Sequence, residues 1–192
     1  MKAYYTTFCF NTFDNIFKQN SPVSGGNVTT NFDNYYVKLQ TTYNNVTIDV
    51  TQFDGKIIQN ATGTVVAKVL KTIVATGTTA IDDPATLVVS YKSGTHFVES
   101  DVVYDAASSL AAQAATSNAT GLSSIVSIAQ GVFYISSNYT RTDGIQISNG
   151  TFVQVNPQTK VISKYNNNPS SRVGLTITES IVKFTEDATL LD

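Results

Sequence analysis

The amino-acid sequence predicts an all-β protein of mainly antiparallel strands, arranged as a sandwich, barrel or meander, with a short N-terminal helix. The first observation is composition. The chain is rich in Thr, Val, Ile, Tyr and Phe, which favour pleated strands, and in Asn, Gly and Ser, which favour turns. The second is the alternation of apolar and polar residues along much of the chain. The third is the recurrence of turn residues at short intervals, which is typical of all-β domains.

Bulk properties narrow the classes of function. The chain has 192 residues, of which 42% are hydrophobic and 14% are charged, so we expect it to fold and not to remain disordered. Its net charge is −2 and its basic residues are scattered, which argues against a nucleic-acid partner. The sequence shows neither a secretory signal nor an apolar run near the roughly 20 residues of a membrane span. These features predict a soluble chain made in a cytoplasm, without a membrane partner.

The first predicted element is a helix within an N-terminal segment, residues 1–24. Apolar residues at i, i+3 and i+4 form a short helical stripe in Thr12–Lys18, and Pro22 with Gly25-Gly26 ends it. A helix this short is marginal alone, so we expect it to dock on this domain or on a neighbour.

Residues 25–104 are predicted to form a first β subdomain. Tyr35, Val37 and Leu39 share one strand face, and Thr42–Asn45 reads as a hairpin connection. The further predicted elements are a half-buried strand with Val46, Ile48 and Val50, a turn at Asp54-Gly55, a strand over Thr64–Val74, a core strand over Thr86–Tyr91 closed by Ser93-Gly94, and an edge strand over Val98–Val103. For Thr64–Val74 helix is the competing interpretation, and the β-branched content favours strand.

Residues 105–120 are rich in alanine and other small residues, and they predict either a short helix capped by Asp105 or a flexible connector. A second β subdomain, residues 121–192, is predicted to follow. Asn149-Gly150 is the strongest hairpin signal of the chain, because both residues tolerate a positive φ. The predicted strands are Ser124–Ala129, Val132–Ile135, Gly144–Ser148, Thr151–Val155 and Lys160–Ser163, then a loop at Asn166–Pro169 and one or two strands in Arg172–Phe184.

Residue types that carry catalysis are sparse. His96 is the single histidine, so a Ser–His–Asp arrangement would use it with Asp101 or Glu99 as the orienting carboxylate. The sequence has no Gly-x-Ser-x-Gly nucleophile elbow, and His96 beside Phe97 is interpreted as a surface or packing residue. Glu99 and Asp101 are interpreted as the solvent face of an edge strand.

Metal and cofactor motifs are also missing from the sequence. It has no cluster of His and Cys and no calcium-binding loop, and Gly25-Gly26 lacks the following Lys of a phosphate-binding loop. Cys9 is interpreted as a small buried apolar residue, and Asp82-Asp83 as a solvated turn. A paired-carboxylate glycosidase stays open, because carboxylate separation is a three-dimensional property, although no feature supports it. We therefore predict no catalytic, cofactor-binding or metal-binding residues and no enzyme.

Tyrosines on polar strand faces or in loops are candidate contact residues, because exposed tyrosine is favoured at protein interfaces and on sugar-binding surfaces. The alternative is that most of them are ordinary half-buried strand residues. The candidates are Tyr4, Tyr5, Tyr35, Tyr36, Tyr43, Tyr139 and Tyr165.

Three parts of the chain carry a family resemblance. They are Ile16–Gly26 with Tyr35–Leu39, then Ala85–Tyr91, and finally Gly131–Ile135, Gly150–Val155 and Ser170–Glu179. Together they resemble a structural domain, of unassigned biochemical function, in long virion proteins of cyanophages and related marine contractile-tailed phages. The resemblance covers most of residues 16–192. It rests on glycines, aromatics and β-branched residues.

The resemblance implies a component of the phage tail or baseplate that works by assembly with other virion subunits, as a homo-oligomer within a larger structure. It implies location in the virion tail after synthesis in the host cytoplasm, and it carries over no site residues. A tail-fibre module that binds a receptor or host-surface glycan through Tyr-rich loops is the alternative. Relatives have a long helical region before the Phe-Lys segment, and Ser136–Asp143 looks like an insertion. We therefore expect a fragment, a shortened homologue or one module of a larger tail component.

Overall fold

The computed structural model describes residues 21–77, 83–105, 107, 110–140, 146–176 and 185. Within them the secondary structure is almost entirely strand, with one 3₁₀-helix. The strands are β1 (Ser21–Gly25), β2 (Val28–Lys38), β3 (Thr42–Tyr43), β4 (Val46–Thr47), β5 (Ile57–Gln59), β6 (Val66–Ile73), β7 (Thr86–Ser93), β8 (Val102–Asp105), β9 (Ala111–Gln113), β10 (Thr120–Ile128), β11 (Gly131–Thr140), β12 (Gln146–Val155) and β13 (Gln158–Ser163). The 3₁₀-helix is Val50–Phe53, between β4 and β5.

The strands form three antiparallel sheets, which confirms the all-β prediction. The largest has eight strands in the order β13-β10-β2-β7-β6-β5-β8-β9. A second sheet has the order β1-β11-β12, and β3 with β4 makes a small hairpin. Every described strand pair is antiparallel.

The eight-stranded sheet curls into a half-barrel, because its β9 edge returns to the end of β2. An isolated bridge joins Leu39 to Ala114. Beside it the Ala115 N–H donates to the Lys38 carbonyl at 2.9 Å, and the Gln40 N–H donates to the Gln113 carbonyl at 2.8 Å. The main hydrophobic core lies inside this curl and is made by Val37, Leu39, Val50, Phe53, Ile58, Val65, Ala67, Val69, Ala85, Leu87, Val89, Phe97, Val103, Ala112, Ala114 and Ala119.

The burial of residues in β2 and β7 agrees with what the apolar alternation of β2 and the apolar run of β7 predict. Val37 and Leu39 are buried and Tyr35 packs against the core. In β7, Leu87, Val88 and Val89 are all fully buried, so this central strand is covered on both faces.

Local turn chemistry is confirmed at two sites. Asn44 and Asn45 have φ of 50° and 63° and join β3 to β4, whereas Thr42 and Tyr43 of the predicted connection form β3 itself. Gly55 has φ of 72° after Asp54. The half-buried strand predicted through Val50 is wrong beyond Thr47. There the Asp49 carboxylate accepts the Thr51 N–H at 3.0 Å and caps the 3₁₀-helix, which turns Val50 into the core.

Two predictions around residue 105 are wrong. Val98–Asp101 forms a turn instead of an edge strand, since the Asp101 carboxylate accepts the Val98 N–H at 2.8 Å and β8 begins only at Val102. The expected helix or flexible connector contains β9. Ala112 and Ala114 are fully buried in the core, and Ala114 forms an isolated bridge with Leu39 just after β2.

The two predicted subdomains share one sheet. β10 pairs with β2 on one side and with β13 on the other, so strands of the second predicted subdomain extend the sheet that is formed by strands of the first. Residues 105–120 therefore connect β8 to β10 within the same sheet and contribute β9 to its edge.

The hairpin predicted at Asn149-Gly150 is wrong, because both residues lie inside β12. Gly150 pairs with Ser136 of β11, and a Cβ on Gly150 would lie 1.8 Å from the Tyr134 hydroxyl oxygen. The glycine thus makes room for the buried Tyr134 ring. The predicted insertion at Ser136–Asp143 belongs to β11 as far as Thr140, and residues 141–143 lie outside the described ranges.

The predictions for the two ends of the chain fall only partly within the residues that the structure describes. The helix predicted over Thr12–Lys18 and residues 177–184 of the last predicted strands lie outside the described residues. Residues 21–24, placed in the N-terminal helical segment, form β1, where Pro22 pairs with Phe133. Residues 172–176 are not in a strand, so the strand prediction is wrong there.

A glycine corner connects the two large sheets. The pairs β1–β11 and β2–β10 meet where Gly25-Gly26 passes Gly131, and the Gly26 N–H donates to the Gln130 carbonyl at 3.0 Å. A Cβ on Gly131 would lie 2.3 Å from the Gly26 nitrogen, so only glycine permits this backbone approach.

Candidate interaction surfaces

His96 packs against aromatic rings and has no described contact with the carboxylates expected to orient it. Its side chain is exposed, with ring centroids 4.4 Å from Tyr35 and 4.9 Å from Tyr91. The Glu99 carboxylate accepts the Asn118 N–H at 2.9 Å, and Asp101 caps its own turn. Both carboxylates thus bind backbone N–H groups, which corrects their placement on an edge strand.

Tyr91 organises this aromatic group. Its hydroxyl oxygen accepts the Phe97 N–H at 3.1 Å, and its ring lies edge-on to Tyr35 at 5.3 Å. Burial raises the pKa of Tyr91 to about 12. The contacts hold the turn after Gly94 against the half-barrel, which is a packing role.

A second group of side chains, which we call the tyrosine–lysine cluster, lies where the loop after β13 meets β2 and β7. It consists of Tyr36, Lys38, Asp83, Lys164 and Tyr165. The Tyr36 and Tyr165 rings meet edge-on at 4.8 Å, and the Lys38 Nζ lies 4.3 Å from the Tyr165 centroid. At this distance the ammonium group interacts favourably with the ring face.

Asp83, interpreted from the sequence as part of a solvated turn, is partly exposed and is also the hydrogen-bond acceptor of the cluster; Asp82 lies outside the described residues. It accepts hydrogen bonds from the Lys164 ammonium group and the Tyr165 hydroxyl. The Lys164 hydrogen bond, then that of Tyr165, lowers the pKa of Asp83 below its usual value. Desolvation, reinforced by the Asp83 carboxylate, raises the pKa of Tyr165 to about 12.

The sequence alone did not predict that these residues form one cluster, because Asp83 and Tyr165 are far apart in the chain. Tyr36 and Tyr165 were candidate contact residues, and the structure places them side by side. Tyr35 packs against the core and Tyr43 is half-buried in the β3–β4 hairpin, as ordinary strand tyrosines do. Tyr4, Tyr5 and the side chain of Tyr139 lie outside the described part of the chain.

A groove with a volume of about 440 Å³ runs between β6 and β13. Its lining combines three lysines with apolar residues and threonines. The lining residues are Lys71, Thr72, Ile73, Val74, Thr159, Lys160, Val161, Ile162 and Lys164. Neither strand was predicted to face the other, since they are separated in the sheet by three further strands.

The three-stranded sheet exposes apolar side chains on both of its edge strands. Val23 of β1 is 36% exposed, and Phe152 and Val153 of β12 are 43% and 40% exposed. Tyr134 in the central strand is fully buried and packs 5.3 Å from Phe152. None of these residues was singled out from the sequence, because exposure of a strand depends on which strands flank it.

Within the described ranges, no group of three or more His, Cys, Asp or Glu residues is placed to hold a metal ion. Among the same residues, no helix has the length and apolar character needed to cross a membrane. Comparison with family models, curated proteins and solved structures found no match to the chain.

Proposed function

We propose that this chain is a structural protein of a phage virion, a component of the tail or baseplate that acts through protein–protein contacts. Two lines support the proposal. The sequence resembles a domain of long virion proteins, and the three-stranded sheet presents a strand that is suited to contact another subunit. The observation that carries the proposal is the edge strand β12.

β12 combines the features that allow an edge strand to pair with a strand of another chain. It is ten residues long, lies at the edge of its sheet among the described strands, and contains no charged residue. Its Phe152 and Val153 are exposed on opposite faces of the strand. Monomeric proteins usually protect such edges with charges, prolines or short strands, so an unprotected edge of this length is expected to be covered by a partner.

The opposite edge of the same sheet, formed by β1, is better protected against pairing with another strand, so we expect the contact at the β12 edge. β1 is five residues long and contains Pro22, which cannot donate a backbone hydrogen bond. We therefore place the main subunit contact along β12. A repeated contact of this kind would build a homo-oligomer within a larger particle.

Substitution of Val153 by lysine tests the contact in solution. We expect the unaltered chain to associate as its concentration rises in sedimentation velocity, and Val153→Lys to shift it towards monomer, because a charge on an edge strand opposes pairing. Val46→Lys is the matched control, since Val46 is 64% exposed in the β3–β4 hairpin and lies outside the three-stranded sheet. A monomeric unaltered chain at about 100 μM, in the range where transient contacts form, would contradict the contact.

The virion assignment needs a second measurement. Mass spectrometry of purified particles encoded by the same genome should detect the chain, and gold-labelled antibodies should mark the tail. Particles that lack the chain would refute this part of the proposal even if the β12 contact holds.

Binding of a receptor or a host-surface glycan is a second candidate, favoured by the tyrosine–lysine cluster. Tyr165 is 39% exposed beside Tyr36, and an aromatic ring next to charged and hydroxyl groups suits a sugar. A glycan array would detect this activity, and Tyr165→Ala should abolish any signal that arises there. Binding that persists in Tyr165→Ala would assign it to another surface.

A further inference from the structure

We propose that the groove between β6 and β13 binds an extended acidic segment of another polypeptide, which adds as a strand along the β13 edge. This site is separate from the β12 contact, and it holds or fails independently of the virion assignment.

The first argument is the arrangement of the groove lining. Successive side chains of a strand point to opposite faces of its sheet. Consecutive residues nevertheless line the groove on both sides, at 71–74 and at 159–162. The groove therefore follows the edges of the two strands and not the face of either one.

The second argument is that, among the described residues, no strand pairs with either edge there. β13 is the last described strand of the eight-stranded sheet and has β10 as its one described partner. β5 pairs with β6 at residues 66–68, and the Val69 N–H donates to the Lys56 carbonyl, so within the described residues the ladder on that side stops before Lys71. Unpaired backbone groups along such edges can accept the main chain of a further strand.

The third argument is charge. Lys71, Lys160 and Lys164 line the groove, in a chain whose net charge is −2. Asp83 pairs with Lys164, whereas no described carboxylate forms an ion pair with Lys71 or Lys160. Ile73, Val161 and Ile162 supply apolar surface between the lysines. A strand that alternates acidic and apolar side chains matches this lining.

We assign the groove to a different polypeptide because its three lysines call for carboxylates, which the described edge strands of a second copy do not carry. β1, β9, β12 and β13 contain no Asp or Glu. A second copy would therefore offer no acidic edge among the described strands. The volume of the groove, about 440 Å³, lies within the roughly 300 to 1,000 Å³ that is typical of ligand-binding clefts.

The test uses the full chain and two synthetic nonapeptides, one alternating glutamate with valine and the other alternating lysine with valine. By fluorescence anisotropy we expect the glutamate peptide to bind about tenfold more tightly than the lysine peptide, with an affinity that falls as salt rises. Lys160→Glu should weaken that binding about tenfold. Lys92→Glu, an exposed lysine on β7 that does not line the groove, makes the same charge change and should leave binding within about twofold.

Amide hydrogen exchange distinguishes strand addition from simple charge attraction. The glutamate peptide should slow exchange in residues 159–162, because a new strand engages alternate N–H groups of β13. Equal binding of the two peptides, or binding without slower exchange, would overturn the proposal. Dextran sulfate that competes fully and depends equally on Lys160 would also overturn it, since the site would then serve polyanions in general.

Discussion

At the scale of single residues, Asp83 links the loop after β13 to the rest of the eight-stranded sheet. Its carboxylate receives hydrogen bonds from Lys164 and Tyr165, and the Tyr165 hydroxyl also lies 3.2 Å from the Thr86 Oγ1. Two buried serines fasten the same loop: the Ser123 hydroxyl donates to the Ser163 carbonyl at 3.0 Å, and the Ser124 hydroxyl donates to the Asn166 carbonyl at 2.9 Å. The loop is thus held by charge on one side and by backbone acceptors on the other.

The contribution of Asp83 and Tyr165 to folding stability is expected to fall both at low pH and at high pH. The pKa of Asp83 is lowered in the folded chain, so its contribution to stability is present above the ordinary pKa of 3.8 and is lost as pH falls through the folded value. The pKa of Tyr165 is raised from 10.0 to about 12, so its contribution is complete below pH 10 and is lost as pH rises towards 12.

We expect Asp83→Asn to lower the free energy of unfolding by about 1 kcal/mol at pH 7, because one partly exposed ion pair is lost. The acid-induced loss of stability should become shallower in the same variant.

Tyr165→Phe should make the loss of stability between pH 10 and 12 shallower, while the part due to Tyr91 remains. Urea unfolding across this pH range measures both effects. Asp54→Asn, in an exposed turn, is the control, and pH profiles that match the unaltered chain in all three variants would contradict the role of Asp83.

At the scale of elements, local patterns predicted strands well and their partners poorly. Alternation at Val37 and Leu39 placed β2 and its buried face, and the Asn44-Asn45 turn needed only its own residues. The pairing of β10 with β2 joins segments far apart in the chain, and no local pattern specifies it. The same limit applies to the tyrosine–lysine cluster and the groove, since both bring together residues that lie far apart in the chain.

Gly150 shows how one residue type can carry two different meanings. Asn-Gly is the residue pair that tight hairpins favour, so the sequence predicted a turn. The structure uses Gly150 in mid-strand, opposite Ser136, because the Tyr134 ring occupies the space of its missing side chain. The packing role of Gly150 depends on Tyr134, which lies on the neighbouring strand.

We expect Gly150→Ala to destabilise the three-stranded sheet by about 2 kcal/mol, because its Cβ would lie 1.8 Å from the Tyr134 hydroxyl oxygen and the ring must move. Gly174→Ala is the matched control, since a Cβ there meets no atom within 4 Å, and it should change stability by less than about 0.5 kcal/mol. Amide exchange of β11 and urea unfolding measure the two changes. Equal stability of both variants would show that the Tyr134 ring does not depend on the space left by the missing side chain of Gly150.

At the scale of the whole molecule, the half-barrel and the strands added beside it form one continuous ladder. β2 and β7 lie in its middle, and each has strands of the first predicted subdomain on at least one side. β10 and β13, from the second predicted subdomain, extend the same ladder beyond β2. Because neighbouring strands share hydrogen bonds and side-chain contacts, damage at the centre should reach both ends.

Substitution of Leu87 by alanine tests this continuity. Leu87 is fully buried in β7 and pairs with Val37 on one side and Thr72 on the other, so Leu87→Ala should cost about 3 kcal/mol. In amide hydrogen exchange we expect β10 and β13 to lose protection together with β5 and β6, because all of them depend on the same central strands. Val98→Ala, at a position that is 62% exposed, should leave the pattern unchanged. If β10 and β13 kept full protection while β5 and β6 lost it, the chain would unfold as the two units predicted from its sequence, and the shared sheet would be only weakly coupled across β2.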